Sequence, residues 1–193
     1  MSQSLIPALQ LIDAYSKGYF PMAEPDGEIY WHCPQMRAVF PLDSLAVPRK
    51  LQNSLRKSNF YFSINKCFEE VILQCSNRRD TWISETIINS YIELYRLGFA
   101  HSVETWENGI LVGGLYGVTL GGAFFGESMF NSVTNASKAA FYHLVERLKT
   151  NGFTLLDSQY INHFTLQLGA IEIPKPQYLK LLKKAIQLPV EFN

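Results

Sequence analysis

Apolar residues at Leu5, Leu9, Ile12 and Ala14-Tyr15 recur at near-helical spacing. They predict a helix from Leu5 to Lys17 that Gly18 ends. Tyr19-Phe20-Pro21-Met22 reads as an aromatic turn. Ile29-Tyr30-Trp31 and Ala38-Val39-Phe40 read as short strands. Pro48 opens a helix over Arg49 to Lys57, and Phe60 to Ile64 follows as a strand. Phe68, Val71, Ile72 and Cys75 return to helical spacing, and Ser84 caps a helix to Leu97. His101 to Trp106 alternates as a strand does, Asn108-Gly109 is a hairpin signal, and Leu120-Gly121-Gly122 turns into Ala123 to Phe130. Asn135 caps a helix whose apolar face runs from Ala136 to Leu148. Thr154 to Asp157 is a buried strand, with helices at Asn162 to Leu168 and Gln177 to Ile186. Antiparallel strands followed by helix, strand and helix predict an α+β fold, a mixed sheet flanked by helices. The expected division is a small N-terminal subdomain at 1–36 and the main domain at 37–193.

Composition narrows the class. At 47% hydrophobic and 18% charged residues the chain is globular, not disordered. No run of about 18 uncharged apolar residues exists, so no membrane partner is expected. Met1 to Ile6 shows neither a basic nor a long apolar leader segment. Cys33, Cys67 and Cys75 lack Cys-x-x-Cys spacing. That suits reduced thiols in the cytoplasm and speaks against a metal site. A net charge of zero argues against a general nucleic-acid binder. Yet between Ser44 and Phe68 the charged residues are Arg49, Lys50, Arg56, Lys57 and Lys66, with no acid among them. They form either a solvated helix face or a patch for phosphates.

The chemistry concentrates at the ends of apolar, glycine-punctuated strands. Gly113-Gly114-Leu115-Tyr116-Gly117 is followed by Gly126-Glu127-Ser128-Met129 and then by Leu155-Leu156-Asp157-Ser158-Gln159. An unpaired carboxylate is costly among Phe and Leu, so Glu127 and Asp157 are expected at a pocket mouth, paired or working. Asp157 and Gln159 are two apart and should share one face. Two acids and an amide could orient an amine and handle its proton. Asn135-Ala136-Ser137-Lys138 opens a helix and could hold an anion, although an ordinary cap explains these residues as well. The glycines fit neither a P-loop nor a dinucleotide fingerprint. His32, His101, His143 and His163 show no metal spacing.

Several of these motifs occur together and in order. Tyr19-Phe20-Pro21, Trp82-Ile83-Ser84, Gly98-Phe99-Ala100-His101-Ser102, Leu111-Val112-Gly113-Gly114-Leu115-Tyr116-Gly117, Gly126-Glu127-Ser128-Met129-Phe130, Asn135-Ala136-Ser137-Lys138, Leu156-Asp157-Ser158-Gln159 and Leu168-Gly169-Ala170 make up the set. In this the chain resembles the leucyl/phenylalanyl-tRNA–protein transferase family. The resemblance implies a cytoplasmic enzyme with an N-acetyltransferase-like (GNAT-like) core and no cofactor. It would move Leu or Phe from aminoacyl-tRNA to proteins with N-terminal Arg or Lys, marking them for degradation. Position by position, it implies catalytic roles for Glu127, Asp157 and Gln159. It implies a side-chain pocket from Leu115, Phe124, Leu144 and Leu156. Trp82 and Met22 would meet the terminal adenosine, and Arg49, Lys50, Arg56 and Lys57 the tRNA arm. The family usually carries some two dozen further residues before the equivalent of Leu5, with a Gly-Gly-Asp element, and commonly an aromatic where this chain has Met22.

Aminoacyl-tRNA is an activated ester, so the transfer needs mainly proximity and oxyanion stabilisation. Asp157 acting through Gln159 is the expected handler of the attacking amine, with Glu127 on the amino group of the transferred residue. Two other readings stand beside this one. An acetyl-CoA-dependent acyltransferase would need a glycine-rich loop before the main helix, where the chain has Ser132-Val133-Thr134-Asn135. A non-catalytic binder of protein N-termini would need no basic face.

Overall fold

The structure, a computed structural model, describes residues 5–78 and 81–192. Helix α1 (Ala8–Ser16) starts three residues later than the apolar spacing suggests, because Pro7 takes the N-cap position. The Tyr19–Met22 segment is not a turn. Strand β1 (Phe20–Ala23) pairs antiparallel with β2 (Ile29–His32), Pro21 lying opposite Trp31. A two-stranded ribbon leaves outward-facing N–H positions free, so a proline is tolerated there.

The main sheet has seven strands in the order β4 (Tyr61–Ile64), β5 (Ala100–Glu107), β6 (Ile110–Leu120), β7 (Ala123–Asn131), β8 (Leu155–Gln159), β3 (Met36–Phe40) and β9 (Ile171–Pro174). Strands β5, β6 and β7 form an antiparallel meander. Asn108 and Gly109 both take positive φ at its first hairpin, as a type I′ turn requires. The β7–β8 pair is parallel, and its crossover is helix α5 (Ala136–Thr150). β9 escapes a pattern reading: Ile171-Glu172-Ile173-Pro174 is short, and only pairing with Met36–Val39 makes it a strand.

The helices divide between the two faces of the sheet. On one face α1, α3 (Phe68–Ser76), α4 (Glu85–Arg96) and α7 (Lys175–Ala185) enclose a core that includes Tyr15, Phe68, Tyr91, Tyr116, Phe125 and Tyr178. On the other, α5 packs Leu144, Val145 and Leu148 with Leu115, Phe124 and Leu156. α1 and β1 contribute Leu11, Tyr15 and Phe20 to the first core, so the N-terminal segment is packed into the sheet's own interior.

Asn135 begins α5 without capping it. Its backbone is left-handed, its side chain accepts no cap bond, and its amide donates instead to the Ser54 hydroxyl at 3.2 Å. That bond ties α5 to α2 (Arg49–Leu55). The start of α5 also lies directly on β6. A Cβ at Gly113 would stand 2.7 Å from the Ala136 Cβ and 2.9 Å from its carbonyl carbon. Neither atom belongs to a flexible side-chain end. Gly113→Ala should therefore destabilise the fold by about 1–3 kcal/mol through overpacking. Urea unfolding would register this as a lower midpoint at unchanged m-value.

Candidate active site

The site begins where two strands part. β7 and β8 are paired only from Ala123–Phe125 to Leu155–Asp157. Beyond that β7 continues along β6 alone to Asn131. The gap between the diverging strands is a cavity of about 600 Å³. Its apolar wall includes Phe40, Leu115, Phe141, Leu144 and Leu156, and its polar wall includes Glu127, Asp157 and Gln159.

Both polar strand ends are bulged. Gly117 lies opposite Gly126 and Tyr116 opposite Ser128, so Glu127 is the extra residue on β7. On β8, Val39 lies opposite Asp157 and Ala38 opposite Gln159, so Ser158 is skipped. Bulges re-aim side chains and accumulate beside active sites. Gln159 also takes φ +57°, an uncommon conformation for a non-glycine residue. Its backbone N–H is held in that bend by Asp157 Oδ1 at 2.9 Å.

Asp157 is paired, one of the two states expected of it. Its side chain is fully buried, and Arg37 binds it through Nε at 2.9 Å and Nη2 at 2.6 Å. The Tyr178 hydroxyl donates to Oδ2 at 2.7 Å. Arg37 is itself buried and lies 4.6 Å from the ring centres of Phe20 and Tyr178, an arrangement that favours a cation on both faces. Its Nη1 donates to the Gly18 carbonyl at 3.1 Å. Burial pushes the Arg37 pKa down, but the charge of Asp157 more than offsets this and the net shift is upward.

Glu127 is different. It keeps part of its surface on the cavity, while protein encloses the remaining sides of its carboxylate. The Tyr15 hydroxyl donates to Oε1 at 2.7 Å, the Tyr91 hydroxyl to Oε2 at 3.2 Å and the Gln159 amide to Oε1 at 3.2 Å. Tyr15 and Tyr91 also lie within hydrogen-bond reach of each other, so their two hydroxyl protons are shared among three contacts. Burial raises the Glu127 pKa to about 7, the tyrosine hydrogen bonds holding it back and the charge of Asp157 adding to it. Tyr116 also lines the cavity, and its hydroxyl is buried with no hydrogen-bond partner among the described residues. The expected relay from Asp157 through the Gln159 side chain is therefore not the geometry seen. Asp157 holds the Gln159 backbone, and the Gln159 side chain turns to Glu127.

The remaining candidates separate. Leu115, Leu144, Leu156 and Trp82 line the cavity. Phe124 does not: it is fully buried behind the wall, its ring centre 5.4 Å from that of Phe192. Met22 lies on β1, which is hydrogen-bonded to the Trp82 carbonyl through the Ala23 N–H at 3.1 Å. Arg49, Lys50, Arg56 and Lys57 are all exposed and make no ion pair among the described residues. α2 ends at Leu55, so Arg56 is its C-cap and Lys57 lies in the following turn, not on the longer single helix the spacing suggested.

Pattern reading missed Arg37, Arg78, Tyr178 and the three tyrosines near Glu127. Arg37 carried a usable signal, a lone cation inside the apolar run Met36-Arg37-Ala38-Val39-Phe40, where only a buried acid would justify it. Arg78, on the cavity rim, donates to the Met129 carbonyl and to the Ser128 hydroxyl. Nothing local to Tyr15, Tyr91 or Tyr116 marks them, since aromatic residues at helix and strand positions read as core.

A meander, a crossover helix and a parallel strand splayed open at a cavity define a GNAT-like fold. The crystal structure of FemX shares it at a TM-score of 0.57, covering 91% of this chain and 70% of that one at 13% identity. The family model for leucyl/phenylalanyl-tRNA protein transferase matches residues 39–183, and the model of that family's N-terminal domain matches residues 7–35. Leucyl/phenylalanyl-tRNA–protein transferase of Gloeobacter violaceus is 52% identical over the whole of both chains. The protein of the same name from Phenylobacterium zucineum is 47% identical over 96% of this chain and 86% of its own. The chain belongs to the leucyl/phenylalanyl-tRNA–protein transferase family.

The position of Glu127 sets a pH dependence of stability. An unfolded Glu titrates at about 4.3, and Glu127 in the folded chain at about 7. Between these values the folded state holds a proton that the unfolded state has released. Stability therefore falls as pH rises through this window, and the cost is complete above about 7. Glu127→Gln should match the wild type near the bottom of the window. With allowance for the carboxylate's access to the cavity, it should be more stable at pH 8 by about 1–3 kcal/mol. Urea midpoints across the window would show this, and a difference independent of pH would contradict it.

Proposed function

We propose that this chain transfers Leu or Phe from aminoacyl-tRNA to the α-amino group of cytoplasmic proteins with N-terminal Arg or Lys, marking them for degradation. The observation that carries this reading is the two-sided cavity. Leu115, Leu144, Leu156, Phe40 and Phe141, which belong to the core on the α5 side, line the same space as Gln159 and Glu127, whose bonds run to α1 and α4. An apolar side chain fits the apolar wall, and its reacting ester then lies beside groups that hold an amine. The donor is already activated, so holding the two together supplies much of the acceleration. Trp82 on the cavity lining offers a flat surface for the terminal adenosine, with Met22 on the neighbouring strand. The exposed cations of α2 and the turn after it lie on the segment bonded to the start of α5 through Ser54 and Asn135, and supply the phosphate contacts for the tRNA arm. The loop from Asn131 to Asn135 contains no glycine to wrap a pyrophosphate, which weighs against an acetyl-CoA donor.

The test is transfer of labelled Leu or Phe from charged tRNA to a peptide beginning with Arg, with acetyl-CoA as the competing donor. Transfer from tRNA is expected, and strict dependence on acetyl-CoA would refute the reading. Val should be transferred more slowly by a moderate factor, because one missing methylene is worth only about 1–3 kcal/mol.

The cationic segment makes a separate prediction. Arg56→Ala with Lys57→Ala should weaken binding of Leu and Phe tRNAs alike, since phosphate contacts carry no sequence information. It should also reduce the slope of log affinity against log salt by roughly 0.7–0.9 for each phosphate that is no longer neutralised. An unchanged slope in a filter-binding titration would mark these residues as solvated surface.

A further inference from the structure

We propose that Glu127, and not Asp157, accepts the proton of the attacking α-ammonium group, and that Asp157 is a locked anion that positions the site. This rests on the transfer reading above. The argument begins with lone pairs. A carboxylate offers about four acceptor sites. Asp157 Oδ1 accepts from Arg37 Nε and the Gln159 N–H, and Oδ2 from Arg37 Nη2 and the Tyr178 hydroxyl. Every site is filled, the charge is paired with Arg37, and the side chain has no exposure. A proton could reach it only by displacing one of those donors.

Glu127 accepts three hydrogen bonds and so keeps one acceptor site, on Oε2. It is the unpaired residue of the β7 bulge, is turned to the cavity wall, and has no cation bonded to it among the described residues. The groups facing it are Tyr15 from α1, Tyr91 from α4, Tyr116 from β6, Gln159 and Asp157 from β8, and Arg37 from β3. Tyrosine hydroxyls both donate and accept, so Tyr15 and Tyr91 can serve either protonation state of the carboxyl. The Gln159 amide nitrogen is fixed on Glu127, which leaves its carbonyl oxygen to accept an N–H of the incoming amine. Burial holds Glu127 at about 7. An α-amino group titrates at about 7.7–8, so the two are closely matched. An ordinary carboxylate at about 4.3 would be more than three orders of magnitude too weak a base.

In the step itself, Glu127 takes one proton from the acceptor ammonium. The freed nitrogen lone pair attacks the ester carbonyl and forms the C–N bond. Collapse breaks the C–O bond to the ribose, whose oxygen leaves with a second proton from the attacking nitrogen. The products are an amide, a ribose hydroxyl, and a proton that Glu127 returns to solvent.

The experiment is the pH dependence of kcat for transfer from Leu-tRNA to an Arg-initiated peptide. Wild type, Glu127→Gln, Tyr15→Phe and Tyr178→Phe are compared. Glu127→Gln should lower kcat by about 10²-fold or more, with little change in KM for Leu-tRNA. Tyr15→Phe should move the acidic limb to higher pH, because it removes a hydrogen bond that favours the ionised carboxylate. That shift separates the limb from titration of the peptide's own amine, which the variant does not touch. Tyr178→Phe removes a donor from Asp157 and should leave the limb in place. The inference is overturned if Glu127→Gln retains kcat within a few-fold, or if Tyr178→Phe shifts the limb and Tyr15→Phe does not. Absence of transfer by the wild-type chain would remove the functional reading and this inference together. Transfer by wild type and Glu127→Gln alike would remove only the inference.

Discussion

Arg37 and Asp157 form an ion pair with almost no contact with water, 2.6 Å apart at the nearest atoms. Taking each charge out of solvent costs several kcal/mol, so neither would be buried without the other. Around this pair the chain arranges five separate pieces. β3 supplies the guanidinium and β8 the carboxylate. The turn that follows α1 supplies the Gly18 carbonyl, β1 the Phe20 ring, and α7 the Tyr178 ring and hydroxyl. Each contact satisfies a donor or covers a face of the same guanidinium. The pair therefore specifies how the N-terminal segment and the last helix dock on the sheet, whatever its net contribution to stability.

The geometry of the site follows from that anchor. Asp157 is the last residue of β8 to pair with β7, and its carboxylate also fixes the bend at Gln159. Once the backbone is held there, the Gln159 side chain reaches across the widening gap to Glu127. The gap itself is a consequence of strand pairing. β7 stays hydrogen-bonded to β6 after losing β8, so a cavity opens without breaking the meander. Two bulges at this point, one on each strand, aim Glu127 and Gln159 at the same polar wall.

Two carboxylates on neighbouring strands thus have opposite environments. One is neutralised by a guanidinium and closed off. The other is surrounded by neutral donors and left at a cavity, where burial without a counter-charge keeps it near neutrality. The same functional group thus serves once as the partner of a buried cation and once as a titratable group on the cavity.

The sequence by itself determined the local elements and the identity of the polar candidates. Periodicity located the meander, the crossover helix and the strand carrying Asp157, because amphipathic spacing and turn chemistry are short-range properties. An acid amid Phe and Leu marked Glu127 and Asp157, because an unpaired charge there is too costly to be incidental. The ordered motifs carried the family. What the sequence did not yield were facts that arise between distant residues. β9 is a strand only because β3 offers it an edge, and β1 only because β2 does. Arg37 meets Asp157 across 120 positions, and Tyr15 meets Glu127 across 112. The separation of the two acids into a closed ion pair and an open titrating group, and the bulges that turn Gln159 away from the Asp157 carboxylate, depend on those meetings. Charge pairing, burial and register are properties of the packed whole, and only the tertiary structure decided them.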